Sequence, residues 1–343
     1  MAKLPQKIGV DFGNHMIKVV ELSGNLEDEA SLVAHGSHST PFGVISNENE
    51  DYLNKLAQAV KDAVKDSGAK SKYAVAAIPE SSIFSRLIDT PKVPEKEIPD
   101  VVYWEAKQYL PIPIDEVQLD YIIVNNDEQS NSMKVLIVAA PKNLVNIYVS
   151  ILKKAGLEPV AMETESVAIA RALAFKQESK DALIIDMGSQ STDLSIMNNA
   201  RPVFSQSIST GSDAITKAIA ADFNFEYVQA EEYKRNYGLD KTQLEGKIYN
   251  SAKPVMDIIN SEIQKSIEFY KSKNPIGFPA KVLLIGDGAM LPGLVVYFAE
   301  TLSMEVQLAN PWENIGMDKT QAQSIAKGSP GFAVAVGLAL KKE

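Results

Sequence analysis

The sequence predicts an α/β protein of two domains that close on a shared ligand. Three observations carry this. The run Ile8-Gly9-Val10-Asp11-Phe12-Gly13-Asn14 returns as Ile184-Ile185-Asp186-Met187-Gly188-Ser189 halfway along the chain. Short apolar runs alternate with stretches of helical periodicity in both halves. A chain of 343 residues is also long enough for two cores. Each copy of the repeat reads as a buried strand ending in a tight turn, whose glycine lets the backbone approach a ligand closely. Consecutive N–H groups of such a turn face an anion, and the Asp sits where a hard cation bridges to it. Two copies imply two halves gripping one phosphate chain.

The elements follow in order. Strand, turn, strand and further β segments precede a helix from Asp51 to Ser67, where Leu53, Leu56, Ala57, Val60 and Val64 recur at helical spacing before the stop at Gly68. Tyr73 to Pro79 is a short buried strand closed by proline, and Ser82 to Pro91 alternates like a strand. Pro91, Pro94 and Pro99 punctuate a loop and a helix start; the helix runs through Val102, Trp104, Ala106 and Tyr109 to the Pro111–Pro113 turn. Strands Gln118–Val124 and Met133–Ala139 flank a polar turn at 125–132, and a helix from Lys142 to Ala155 ends at Gly156. This order marks 82–158 as an inserted α+β subdomain.

Ser166 to Phe175 reads as a helix returning to the first domain, and the second hairpin opens at about Asp181. Ser212 to Ser272 is mostly helical; Lys281 to Gly288 is again strand-to-glycine turn, and Pro292-Gly293 leads into a helix through Phe298. Small and apolar residues alternate from Gly331 to Leu340, which lets a helix pack tightly between two domains. The expected division is 1–81 with 159–180 and the C-terminal helix 331–343 as first domain, and 82–158 inserted. Residues 181–215 with 273–330 form the second domain, and 216–272 its helical subdomain.

Bulk properties exclude several functions. A net charge of −10 argues against nucleic-acid binding, which rewards clustered Lys and Arg. The absence of cysteine rules out disulfides and thiolate metal sites. The apolar run from Ile8 is broken by Asp11, Asn14 and His15, so it is no signal peptide. No segment approaches the ~20 apolar residues of a membrane span. A cytoplasmic protein is expected.

Asp11 and Asp186 are the expected Mg²⁺-facing carboxylates, acting mostly through water. Gly13, Asn14 and Lys18 on the first hairpin, and Gly188, Ser191 and Thr192 on the second, are placed to meet phosphate oxygens, with Lys18 supplying positive charge. Either Asp-x-Gly alone is an ordinary hairpin turn; their repetition is the signal. Gly286-Asp287-Gly288 follows another buried strand and lets the backbone approach a flat group such as adenine. Glu231 and Lys234 lie three apart on a helix, suited to ribose hydroxyls, although such a pair is more often a solvated surface ion pair. Glu163 and Glu165 precede a helix where either could orient water toward a γ-phosphorus. His15, His35 and His38 are too scattered for a metal site or triad and read as structural. Covalent catalysis has no support.

These hairpins, the glycine turn and the late helix resemble the actin-like (ribonuclease H-like) ATPase superfamily. Within the inserted block, Pro94, Glu95, Glu97, Ile98, Tyr103 to Ala106, Gln108 to Pro111, Pro113 to Val117 and Leu119 to Tyr121 resemble the PilM family of type IV pilus assembly proteins, itself similar to FtsA. Pro330 to Leu340 and Ala230 to Lys234 are similar to that family too, so the resemblance spans about residues 7 to 341. It implies an actin-like two-domain fold with an FtsA-type inserted subdomain. ATP with Mg²⁺ then lies between the domains on Asp11, Gly13, Lys18, Asp186, Gly188, Thr192, Glu231, Lys234, Gly286 and Gly288. Gly211 matches the first glycine of a family Gly-Gly pair, and Glu165 the acidic position that helps place water in hydrolytic relatives. Asn14, Ser212, Asp287 and Ser166 depart from the family pattern of hydroxyl, glycine, glycine and proline, which favours a nucleotide that sets a conformation over rapid turnover.

The resemblance further implies capture of the N-terminal tail of PilN in a groove between the first domain and the inserted block. The strand Ser82–Pro91 and the helix Tyr103–Tyr109 are the expected place. PilO, indirectly, and the pilus motor ATPases and platform protein are further expected partners, with possible self-association. The chain stops at Lys341-Lys342-Glu343 without an FtsA-like lipid helix, so membrane recruitment is expected through partners, peripheral to the inner membrane. The alternatives are an FtsA-like filament former and a small-molecule kinase on the same fold.

Overall fold

The computed structural model describes residues 6–25, 29–41, 49–125, 131–174, 181–273, 278–325 and 329–342. The strand β1 (Ile8–Phe12) is buried along its whole length, as an apolar run covered on both faces must be. It turns back into β2 (Met16–Asn25) and then β3 (Glu29–Ser39) as an antiparallel ribbon. The helix α1 (Glu50–Ser67) is capped by Asn49, whose side chain accepts from the Asp51 N–H at 2.9 Å, and stops at Gly68 with φ of 75°. The strands β4 (Tyr73–Ile78) and β8 (Glu158–Thr164) complete a five-stranded sheet in the order β3-β2-β1-β4-β8.

Between β4 and β8 come β5 (Phe84–Pro91), α2 (Ile98–Tyr109), β6 (Val117–Asn125), β7 (Ser132–Pro141) and α3 (Lys142–Lys154). The three strands form their own sheet, β5-β7-β6, with α2 packing Ile98, Val102 and Ala106 against Ile88, Val135 and Ile137. Most of the expected polar turn at 125–132 lies outside the described residues.

The second half repeats the first. After α4 (Glu165–Ala174), β9 (Ala182–Met187), β10 (Thr192–Asn198) and β11 (Arg201–Ile208) form another antiparallel ribbon. The helices α5 (Ser212–Phe223), α6 (Tyr227–Tyr237) and α7 (Lys247–Lys273) intervene before β12 (Lys281–Ile285), α8 (Leu294–Leu302) and β13 (Glu305–Leu308). The order β11-β10-β9-β12-β13 matches that of the first sheet. The sequence repeat is thus a repeat of topology.

The chain ends with α9 (Lys319–Ile325) and α10 (Ala333–Ala339). Small residues let α10 enter the space between the large sheets: Ala333, Val334 and Leu338 meet Ile184, Leu283 and Val75, while Ala335 and Val336 meet Val20 and Leu22. Contact is closest at two glycines. A Cβ on Gly9 would stand 2.2 Å from the Ala335 carbonyl oxygen, and one on Gly337 would stand 1.9 Å from that of Ala168 in α4. Among the described residues no helix is long and apolar enough to cross a membrane.

Two features depart from the expectations. Strand β8 was unforeseen; it opens with Glu158-Pro159 and lies half-buried at a sheet edge, so its apolar signal is weak. The helix α3, expected inside the 82–158 unit, puts Leu144, Tyr148, Ile151 and Leu152 into the core beneath the first sheet with Val10 and Leu56. The expected helix end at Phe175 lies outside the described residues.

Because both close contacts are with backbone, Gly337→Ala cannot be absorbed by a rotamer change and should cost about 3 kcal/mol, at the upper end of overpacking effects. Urea unfolding should register this as a lower midpoint with unchanged slope; an unchanged midpoint would mean that the packing of α10 is looser than described.

Candidate functional site

The two hairpins face each other across a cavity of about 880 Å³ between the large sheets. Of the residues expected to form a site, Asp11, Gly13, Asn14, Lys18, Glu165, Asp186, Gly188, Ser191, Glu231, Lys234, Gly286 and Gly288 all line it. Thr192 and Gly211 do not. Thr192 is wholly buried, with Oγ1 donating to the Thr210 carbonyl at 2.8 Å. Gly211 lies behind the turn, where α5 donates from Ser212 N–H to the Gly188 carbonyl and from Asp213 N–H to that of Ser189. Both support the second turn from underneath.

Strand register fixes what stands opposite each hairpin aspartate. Asp11 pairs with Lys18 in β1–β2, and Asp186 pairs with Asp193 in β9–β10. One hairpin therefore carries an acid opposite a base, the other two acids. Burial raises Asp11 to about 6, partly offset by Lys18. Burial, then the charges of Asp193 and Asp11, raises Asp186 to about 8. Burial works against the Lys18 charge, but Asp287, Asp11 and Asp186 hold its pKa above the ordinary lysine value. Lys18 Nζ reaches Asp287 Oδ2 at 2.8 Å across the cavity.

Gly286 has φ of 85°, and a Cβ there would stand 2.3 Å from Asp186 Oδ1. Only glycine satisfies both the conformation and the contact. On α6, Glu231 and Lys234 form an inward-facing pair instead of a solvated one. Lys234 Nζ is 2.7 Å from Glu231 Oε2 with a side chain only 6% exposed. Burial pushes Glu231 up, yet hydrogen bonds from Lys234, Thr216 and Arg235 bring it to about 2.

Glu163 and Glu165 part company. Glu163 is gripped away from the cavity by both Arg171 terminal nitrogens, at 2.6 and 2.9 Å, and by Lys341 at 3.2 Å. Glu165 opens α4 toward the cavity, accepting the Glu80 N–H at 2.9 Å. Burial and the nearby Asp193 and Asp11 drive its pKa well above the ordinary value.

Several cavity residues were not foreseen. Asp193 stands seven residues after Asp186, as Lys18 does after Asp11, so the repeat itself marked it. Its Oδ2 accepts from Ser191 Oγ at 2.8 Å while its buried Oδ1 has no partner among the described residues. His15, expected to be structural, lines the cavity, with Nε2 3.1 Å from Asp213 Oδ2 on α5. His35 and His38 are structural as expected: His35 packs edge-on against Trp312 and Phe332, and His38 meets Asp66.

The donor chemistry fits a hydrated divalent cation with an anionic ligand: buried carboxylates from both halves, with the Lys18 ammonium among them. Among the described residues no group of three or more His, Cys, Asp or Glu encloses a metal by itself.

A carboxyl whose folded-state pKa is raised binds its proton more tightly when folded. Asp11 and Asp186 therefore favour the folded chain below their ordinary 3.8, and this contribution is lost as pH rises through about 6 and about 8. Without added nucleotide, the thermal midpoint should fall between about pH 5 and pH 8.5, and Asp186→Asn should flatten the fall. Differential scanning calorimetry decides; parallel curves for the two proteins would contradict the assignment.

Comparison with known proteins places this architecture. A solved structure of a PilM-PilN type IV pilus biogenesis complex has 30% sequence identity, a TM-score of 0.83 and covers 98% of each chain. MreB5 of Spiroplasma citri bound to ADP superposes with a TM-score of 0.53 at 15% identity, covering 96% of this chain and 94% of that one. The cell division protein FtsA of Borreliella burgdorferi is 23% identical over 98% of this chain and 90% of its own. FtsA of Streptococcus pneumoniae, also 23% identical, is matched over only 43% of its length by 52% of this chain. The fold is the expected actin-like two-domain α/β arrangement. A model of the family "Type IV pilus assembly protein PilM" matches residues 9–343, and the chain belongs to that family.

Proposed function

We propose that this chain is an ATP-binding scaffold of the type IV pilus inner-membrane assembly complex that recognises the N-terminal tail of PilN. The observation that carries the nucleotide half is the pairing of Asp11 and Asp186 across one cavity, with Lys18 between the halves. In this reading Asp11 and Asp186 hold Mg²⁺ mostly through water, and Gly13, Asn14, Lys18, Gly188 and Ser191 meet the phosphates. Glu231 and Lys234 hold the ribose, and Gly286 and Gly288 border the adenine. The cation, when bound, offsets charge on the phosphate oxygens. Thr192 and Gly211 keep the second turn in place.

Nucleotide binding here sets a conformation, with slow or no hydrolysis. Glu165 is the residue positioned to orient water, yet its burial and the nearby charges of Asp193 and Asp11 disfavour the ionised form that would take up a proton.

The similarity to a PilM-PilN complex over nearly the whole of both chains supports PilN as the partner. The edge strand β5 is the proposed docking strand, its Ser85 end meeting Ser205 of β11 at 2.7 Å. Arg86 stacks on the Tyr109 ring at 3.7 Å, and the same helix α2 carries an exposed Trp104. An extended peptide adding to this edge gains main-chain hydrogen bonds there and side-chain contacts from Arg86 and Tyr109. Through that tail the scaffold links PilN, and PilO indirectly, to the motor ATPases and platform protein on the cytoplasmic side of the inner membrane, held at the membrane by its partners.

Two experiments test the two halves. Asp11→Ala and Asp186→Ala should each weaken Mg²⁺-ATP binding more than about tenfold by calorimetry; undiminished binding in both removes the clamp. Arg86→Glu combined with Tyr109→Ala should weaken binding of a PilN N-terminal peptide at least about tenfold with an unchanged circular dichroism spectrum. Wild-type affinity in that variant would move the docking site elsewhere.

A further inference from the structure

Lys18 meets more than a phosphate site requires. Its Nζ lies 2.8 Å from Asp287 Oδ2, joining β2 of the first half to the turn after β12 of the second. The Lys18 side chain is only 8% exposed, while Asp287 is 58% exposed. The other oxygen of Asp287 rests on the chain leading into α10, where a Cβ on Gly331 would meet it at 2.1 Å. Phe332 covers the same ammonium, its ring centroid 5.8 Å from Nζ. The carboxylate is thus seated between the ammonium and the backbone before α10, directly in the cleft.

Resting on the nucleotide reading above, we propose that Asp287 is a built-in competitor of the phosphate chain for Lys18, and so sets how strongly this cleft prefers phosphorylated over unphosphorylated nucleosides. A phosphate oxygen approaching Lys18 must displace a carboxylate already at hydrogen-bonding distance, and then share the cleft with its negative charge. Both effects oppose phosphates and leave a bare nucleoside untouched. The exposed side of Asp287 lets water solvate it once displaced, which keeps the penalty moderate. A second polar contact spans the cleft at His15 and Asp213, so losing the Asp287 pair does not by itself part the two halves.

The test measures adenosine, Mg²⁺-ADP and Mg²⁺-ATP affinities calorimetrically for the full chain and for Asp287→Asn, Lys18→Met and the double variant. Asp287→Ser replaces Asp287→Asn if thermal unfolding finds the latter misfolded. Asp287→Asn should bind ADP and ATP about tenfold more tightly with adenosine unchanged, and the gain should vanish beside Lys18→Met. Equal tightening for adenosine, or a gain that survives Lys18→Met, overturns the competition. So does an unchanged or weaker ADP affinity in Asp287→Asn, while loss of ADP affinity in Lys18→Met leaves the nucleotide cleft standing. Failure of every protein to bind any of the three overturns the cleft reading and this inference together.

Discussion

The Lys18 ammonium faces Asp11 on its own half and Asp186 and Asp287 on the other, and the cavity is organised around that imbalance. Buried carboxylates repel one another and are costly to ionise without a cation. Each is therefore either protonated, hydrogen-bonded or turned toward the ammonium. Asp186 is pushed to about 8, Glu165 higher than its ordinary value, and Asp193 is satisfied on one oxygen only by Ser191. A surface with this charge pattern favours a cation together with a ligand that brings its own anionic oxygens.

Packing makes the arrangement possible. The short helix α10 lies between the sheets because Gly9 and Gly337 let backbone meet backbone. The inserted block touches both halves as well: its sheet meets the second, where Ser85 of β5 hydrogen-bonds Ser205 of β11 and Arg201 donates to the Ile123 carbonyl of β6, while α3 fills the core under the first sheet. Just before β5, Glu80 holds Glu165 through its N–H while its own Oε2 accepts the Ser166 N–H at 3.4 Å. The edge strand proposed for peptide binding and the acid at the cleft are joined by a short run of chain.

Much of this was legible in the residues. The repeated Asp-x-Gly announced two equivalent sheets, and the alternation of small and apolar residues announced α10. Strand β8 was not legible, since an edge strand begun by Glu158-Pro159 lacks a clear period. Nor was the home of α3, whose apolar face says only that it packs, not against which sheet. Glu163 and Glu165 were equivalent as letters; they separate because β8 ends at Thr164 and α4 starts at Glu165, turning one toward Arg171 and the other into the cavity.

The sequence by itself determined the local elements, the duplicated turns and the candidate set of Asp11, Lys18 and Asp186, because strand, turn and helix signals are local in the chain. Tertiary structure decided which charges meet. Lys18 and Asp287, His15 and Asp213, and Glu231 with a desolvated Lys234 depend on burial and on partners brought together from distant segments or neighbouring turns. Coulomb energy and desolvation are set by distance in space, so only the closed pair of sheets could turn one Asp-x-Gly repeat into a cleft with Lys18 at its charged centre.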